Sequence, residues 1–180
     1  MNIAIEPHSD DVFLGCYSLL KLGLINKVIT VSDGGTVPEG VNIEYEDYID
    51  IRYRETVNFR EMFNLGGSYL WYDDGELDKD FTKIQEEISN YVKPGDTIFL
   101  PSYSEKHPDH KTISKLIFPD CSIIEYSIST IPDNLEGFTF TQFRFKEKMK
   151  LFKKLYPSQY ESLRSSNYDF LECEYFRVRK

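Results

Sequence analysis

The chain has three histidines, His8, His107 and His110, and all of them lie in two short acidic motifs. The first motif is Pro7-His8-Ser9-Asp10-Asp11 and the second is His107-Pro108-Asp109-His110. Asp and Ser are common helix caps, so any one of these histidines reads first as a turn residue. All three beside acids, each motif following an apolar run, read as a site. His8 and Asp11 are three residues apart on a turn entering a helix, so both side chains can face one side. His110 completes a three-ligand set from a distant loop. Zinc accepts imidazole nitrogen and carboxylate oxygen, and a catalytic zinc keeps its fourth position for water. Such an ion lowers the pKa of its water from ~15.7 to about 7. Asp10 can take that water's proton as general base, and it can also cap the helix. A charged His107 can stabilise an oxyanion or protonate a leaving amine. Asp109 can orient an imidazole from behind or cap the helix after it. Iron, cobalt and manganese are compatible with the same donors.

These groups need strand ends to hold them. Residues 2–6 form an apolar strand, 7–11 a polar turn, and 12–22 a buried helix capped by Ser9 or Asp10. A second strand covers 28–31 and ends in Ser32-Asp33-Gly34-Gly35. Residues 36–47 read as a loop and 50–64 as a helix. A third strand covers 69–72, closed by Asp73-Asp74-Gly75. Phe81, Ile84, Ile88 and Val92 follow helical spacing. A fourth strand at 97–100, a helix at 109–118, a strand at 122–128, a basic amphipathic helix at 145–155 and a last strand at 175–178 follow. Alternating strands and helices predict an α/β fold: three-layer, Rossmann-like, a mostly parallel sheet with helices on both faces. Ligands of such sheets bind at the carboxyl ends of the strands, where both motifs open.

With 180 residues and no break in composition, the chain reads as a single domain over residues 1–180. Hydrophobic residues make up 41% and charged residues 28%, as in globular proteins. The net charge of −9 repels a phosphate backbone and an anionic lipid surface, so neither nucleic acid nor membrane is an expected partner. No stretch nears the ~20 apolar residues of a membrane helix, and no signal peptide is visible. Cys16, Cys121 and Cys173 are odd in number and lack CxxC spacing. They read as reduced, mostly buried thiols of a cytoplasmic protein.

The two histidine motifs resemble those of the PIG-L/LmbE-like zinc-dependent de-N-acetylases. That family carries His-Pro-Asp-Asp-Glu after its first strand and His-Pro-Asp-His later. Val31-Ser32-Asp33-Gly34-Gly35, Arg52 to Glu55, Leu65-Gly66, Asp74-Gly75-Glu76-Leu77 and Leu155-Tyr156-Pro157-Ser158-Gln159 fall in the family's order. The resemblance implies a Rossmann-like fold and zinc-dependent removal of acetyl from an N-acetylated sugar or its conjugate. It implies His8, Asp11 and His110 as metal ligands and Asp10 as general base. It assigns His107 to the tetrahedral intermediate or the leaving amine. It also implies a substrate-contacting arginine near Glu55, with Arg52 the choice and Arg54 the alternative. Two positions depart from the pattern: Ser9 replaces Pro, and Val12 replaces Glu.

Two other readings stand beside this one. The Asp10-Asp11 pair suits metal-dependent phosphoester hydrolysis, although two-metal sites normally need more ligands. A non-catalytic sugar-binding module would bind ligand and release no acetate.

Overall fold

A computed structural model describes residues 1–38, 41–132, 135–142, 144–165, 168 and 170–179. The first nine elements alternate strictly. They are β1 (Asn2–Glu6), α1 (Asp11–Lys21), β2 (Lys27–Ser32), α2 (Tyr45–Phe63), β3 (Gly66–Tyr72), α3 (Phe81–Ser89), β4 (Thr97–Pro101), α4 (Pro108–Ser114) and β5 (Ser122–Tyr126). The chain then runs through β6 (Phe138–Gln142), α5 (Phe145–Leu155), α6 (Pro157–Ser165) and β7 (Cys173–Val178). The strands form one seven-stranded sheet in the order β3-β2-β1-β4-β5-β7-β6. β1 to β5 pair in parallel, and β7 runs antiparallel to both β5 and β6. The expected mostly parallel sheet is therefore present.

Strand alternation explains the two helical layers. Ala4, Val28 and Phe99 face one side and pack with Val12 and Phe13 of α1, Phe59 of α2 and Phe152 of α5. Ile3, Ile5, Ile29 and Ile98 face the other side and pack with Ile84 and Ile88 of α3 and Ile113 of α4. Ile84 and Ile88 are four apart on α3 and fully buried. Burying each side chain stabilises the fold by about 1.5–3 kcal/mol, and Ile88→Ala should cost about 2–5 kcal/mol.

β2 and β4 flank β1 on opposite sides. The strand order reverses there, and a crevice opens at the carboxyl ends of β1 and β4. β3 reaches it through a bulge. From Thr30↔Tyr69 to Ser32↔Tyr72, β2 advances two residues and β3 three. Trp71 takes a left-handed φ of 65° within that extra residue's span. Bulges re-aim strand ends, and after this one Asp74 reaches His8 at the end of β1.

Several boundaries differ from expectation. α2 starts at Tyr45, inside the expected loop, of which residues 39 and 40 lie outside the described set; Asn64 stops it in a left-handed C-cap, φ 52°. α4 ends at Ser114 instead of residue 118. β5 ends at Tyr126 because the N–H groups of Ile128, Ser129 and Thr130 turn to the Glu105 carboxylate. β6 and α6 were not expected. Of the three cysteines, only Cys16 is buried. Among the described residues, no helix is long and apolar enough to cross a membrane.

Candidate metal centre

Both histidine motifs stand at the carboxyl ends of β1 and β4, and local bonds fix each turn. After β1, the carboxylate of Asp11 accepts the backbone N–H of His8 at 2.8 Å. The entrance of α1 is capped by neither Ser9 nor Asp10. Asp10 makes no side-chain cap bond, and the Ser9 hydroxyl is buried without a partner. The N–H of Val12 is taken instead by Glu6, at 3.0 Å, while the Val12 side chain joins the core. After β4, Pro108 opens α4, and His107 Nδ1 accepts the N–H of Asp109 at 3.3 Å. Pro at that first helical position leaves no N–H unsatisfied.

These turns bring three donors together. His8 Nδ1 lies 3.2 Å from Asp11 Oδ2 and 3.2 Å from His110 Nε2. His110 Nε2 lies 3.3 Å from the other Asp11 oxygen, Oδ1. A tetrahedral zinc with arms of 2.0–2.1 Å has ligand–ligand edges of about 3.3–3.4 Å. The donor set thus fits such an ion, with the Asp11 carboxylate turning slightly to present one oxygen to both imidazoles. His107 also approaches, its ring centroid 4.9 Å from those of His8 and His110, and one of its ring nitrogens lies within 4.8 Å of a ring nitrogen of each.

Charge points the same way. Burial would lower the pKa of His8, but Asp11, Asp109 and Asp74 overcome it and raise the value well above 6.5. His110 is likewise pushed up to about 9, with Asp11 and Glu105 overcoming burial. Burial would raise the Asp11 carboxyl, yet His110 and His8 hold it well below the usual carboxylate range. The carboxylates therefore demand positive charge, which two imidazole protons or one divalent cation can supply. His107 differs. Burial, then the neighbouring His8 and His110, lower its pKa, so the charged form considered from sequence is disfavoured in favour of a neutral ring.

The other face of His8 is held by acids. Its Nε2 lies 2.9 Å from Asp74 and 3.4 Å from Asp109. Asp109 is buried and also accepts N–H bonds from Gly75 at 2.8 Å and Leu77 at 3.4 Å. It stands where an orienting partner for an imidazole would, and that imidazole is His8. From sequence, Asp74 reads as a turn residue and as part of the family-like Asp74-Gly75-Glu76-Leu77 run, with no role at the site. The bulge before it is invisible in residue types alone.

Arg52 is the largest fully buried side chain. Its guanidinium donates to Asp10 Oδ1 at 2.8 Å and to Glu55 Oε2 at 3.0 Å. Glu55 in turn accepts the backbone N–H and hydroxyl of Ser158, at 2.9 and 2.7 Å. Arg54 lies on the surface, 3.9 Å from Asp50. The Asp10-Asp11 pair is split: Asp11 faces the imidazoles and Asp10 faces Arg52.

A cavity of about 380 Å³ collects these groups. His8, Asp10, Asp11, Arg52, His107 and His110 line it, joined by Gln159 and Tyr168 from the C-terminal part of the chain. A larger groove of about 790 Å³ lies over β5, β7 and β6. Its main charges are already paired, Arg177 and Arg179 with Glu125, and it holds no histidine.

The family model described as GlcNAc-PI de-N-acetylase, PIG-L, matches residues 3–119, which include both histidine motifs. No curated protein matches the sequence. Among solved structures, the N,N'-diacetylchitobiose deacetylase of Pyrococcus horikoshii is similar with a TM-score of 0.71 and 17% identity, over 99% of this chain and 83% of that one. The A40926 pseudoaglycone deacetylase Dbv21 gives 0.68 and 17%, over 99% and 96%. The 4-carboxy-2-hydroxymuconate hydratase GalB of Pseudomonas putida KT2440 gives 0.62 and 12%, over 99% and 95%. Identities this low speak for the fold; a hydratase among the neighbours means that fold alone does not set the chemistry.

Proposed function

The chain belongs to the PIG-L family of de-N-acetylases, and on that premise we propose that it hydrolyses the acetamide of an N-acetylated amino sugar, such as an N-acetylglucosamine conjugate, at the cavity between β1 and β4. The observation that carries this reading is the convergence of His8, Asp11 and His110 within 3.3 Å beside Asp10 and His107. These three residues would hold the metal, with zinc the ion their donors favour. When bound, the ion supplies Lewis acidity to water and to the acetyl carbonyl.

The remaining work falls to the protein's own groups. Arg52 fixes Oδ1 of Asp10, which leaves Oδ2 to take a proton from the attacking water. The water oxygen bonds to the acetyl carbon and the C–N bond breaks. Asp10 returns its proton to the departing nitrogen, so the products are acetate and the free amine. His107 accepts the Asp109 N–H at Nδ1; its neutral ring therefore carries a proton on Nε2, available to hydrogen-bond the developing oxyanion. Arg52, expected from sequence to touch substrate, lines the cavity with its guanidinium committed to Asp10 and Glu55. We read it as the anchor of the base.

The test is acetate release. Zinc-loaded protein should liberate acetate and a primary amine from an N-acetylglucosamine conjugate, and none from a chromogenic phosphate ester. Phosphate release without acetate would replace this reading with phosphoester hydrolysis. Sugar binding without any release would mark a non-catalytic module.

A further inference from the structure

Glu105 lies outside both histidine motifs, and no step above uses it. Its side chain is fully buried. One oxygen, Oε1, accepts N–H bonds from Ile128 at 2.7 Å, Ser129 at 3.3 Å and Thr130 at 3.4 Å. The other, Oε2, accepts the Ser129 hydroxyl at 2.9 Å and the Ser129 N–H at 3.4 Å. It also lies 3.6 Å from His110 Nδ1. That nitrogen is buried and without a hydrogen-bond partner, an unfavourable state for a polar atom. A shift of a few tenths of an ångström would bring Glu105 within bonding range.

The chemistry of imidazole gives that gap a meaning. Nε2 of His110 faces His8 and Asp11. A neutral ring can offer Nε2 to a cation only when its proton sits on Nδ1. An acceptor behind Nδ1 therefore selects the ligating tautomer. We propose that Glu105 is a positioning residue: Oε2 accepts a hydrogen bond from the Nδ1–H of His110 and so holds Nε2 toward the ion. Because three consecutive backbone amides lock Glu105 itself, the loop after β5 becomes part of the metal centre's support. This inference rests on the metal-site reading above.

Glu105→Gln separates positioning from folding. Its amide oxygen can keep the bonds of Oε1, and its NH2 can donate to the Ser129 hydroxyl, but the NH2 cannot accept a hydrogen bond from His110. Competition with a chromophoric chelator should show zinc bound roughly 10- to 100-fold more weakly than in the wild type. The visible bands of the cobalt-loaded variant should change in intensity. Ser129→Ala keeps the backbone amides that hold Glu105 but removes one bond to Oε2, so its zinc affinity should fall less than that of Glu105→Gln. Equal zinc affinity in Glu105→Gln and wild type would overturn the role of Glu105 while leaving the metal site standing. A wild type that binds no zinc would overturn the site reading instead. ¹H–¹⁵N spectra of the zinc-loaded protein should show the His110 Nδ1 proton shifted downfield by its bond to the carboxylate, and the same proton position in Glu105→Gln would overturn the proposal.

Discussion

The guanidinium of Arg52 donates to Asp10 Oδ1 at 2.8 Å, and both groups are almost fully buried. The proposed base is thus held by a residue that also binds Glu55. Arg52→Ala would leave Asp10 and Glu55 buried without their partner, which costs roughly 3–5 kcal/mol. Arg52→Lys keeps a charge but loses the planar fork that spans two carboxylates. Thermal melts should show the alanine variant severely destabilised. The lysine variant should stay folded, with kcat falling more than KM rises. A lysine variant with wild-type kcat would remove Arg52 from the positioning of Asp10.

Metal binding and turnover should separate by residue. His110→Ala removes a donor and should lose stoichiometric zinc. Asp10→Asn keeps the size and the acceptor facing Arg52, so zinc should remain while kcat drops by about 10²–10⁴. Metal analysis by mass spectrometry, read beside acetate release, checks both. Zinc loss in Asp10→Asn would move Asp10 into the ligand set.

Glu6 makes stability fall as pH rises. Burial pushes its pKa up from 4.5 to about 8, against the opposing bonds from Thr30 and Val12. Between those values the folded state keeps a proton that the unfolded chain has lost. The folded state binds more protons, so the slope of stability with pH is negative in that window. The contribution is complete below pH 4.5 and lost as pH passes 8. Chemical melts from pH 5 to 9 should show this decline in the metal-free protein, and Glu6→Gln should flatten it. An unchanged slope in the variant would clear Glu6 of the effect.

Gly34 leaves room for the base's anchor. Its φ is +64°, and a Cβ there would stand 3.1 Å from Arg52 Nε. Gly34→Ala adds backbone strain of order 1–3 kcal/mol and presses on Arg52. Melting temperature and kcat should both fall. If only the melting temperature moves, the contact with Arg52 carries no weight in the reaction.

Much of this arrangement is legible in residue types. Alternating apolar runs with turn residues between them lead directly to β1–β5 and their helices, and both histidine motifs land where strands end. β6 was missed: Phe138 and Phe140 alternate with Thr139 and Thr141, but so short a run between polar residues carries little signal. What the sequence does not reveal is long-range pairing. Glu105 and His110 are five apart, but the loop amides that lock Glu105 arrive from 128–130. Asp74 reaches His8 only through the bulge at Trp71. Glu6, a polar residue at the end of an apolar strand, gave no sign of capping α1 in place of Asp10. Asp10 itself read equally as cap or base, and only the partner Arg52, 42 residues away, separates those roles.

The central claim is that His8, Asp11 and His110 hold one metal ion. Crystals of the zinc-loaded protein, measured on both sides of the zinc absorption edge, test it most directly. The account predicts one anomalous peak per chain, bonded to His8 Nδ1, His110 Nε2 and a carboxylate oxygen of Asp11, with Asp10 and His107 near it and unbonded. A peak held instead by His8 Nε2, Asp74 and Asp109, or no peak between the two histidine motifs, would contradict it.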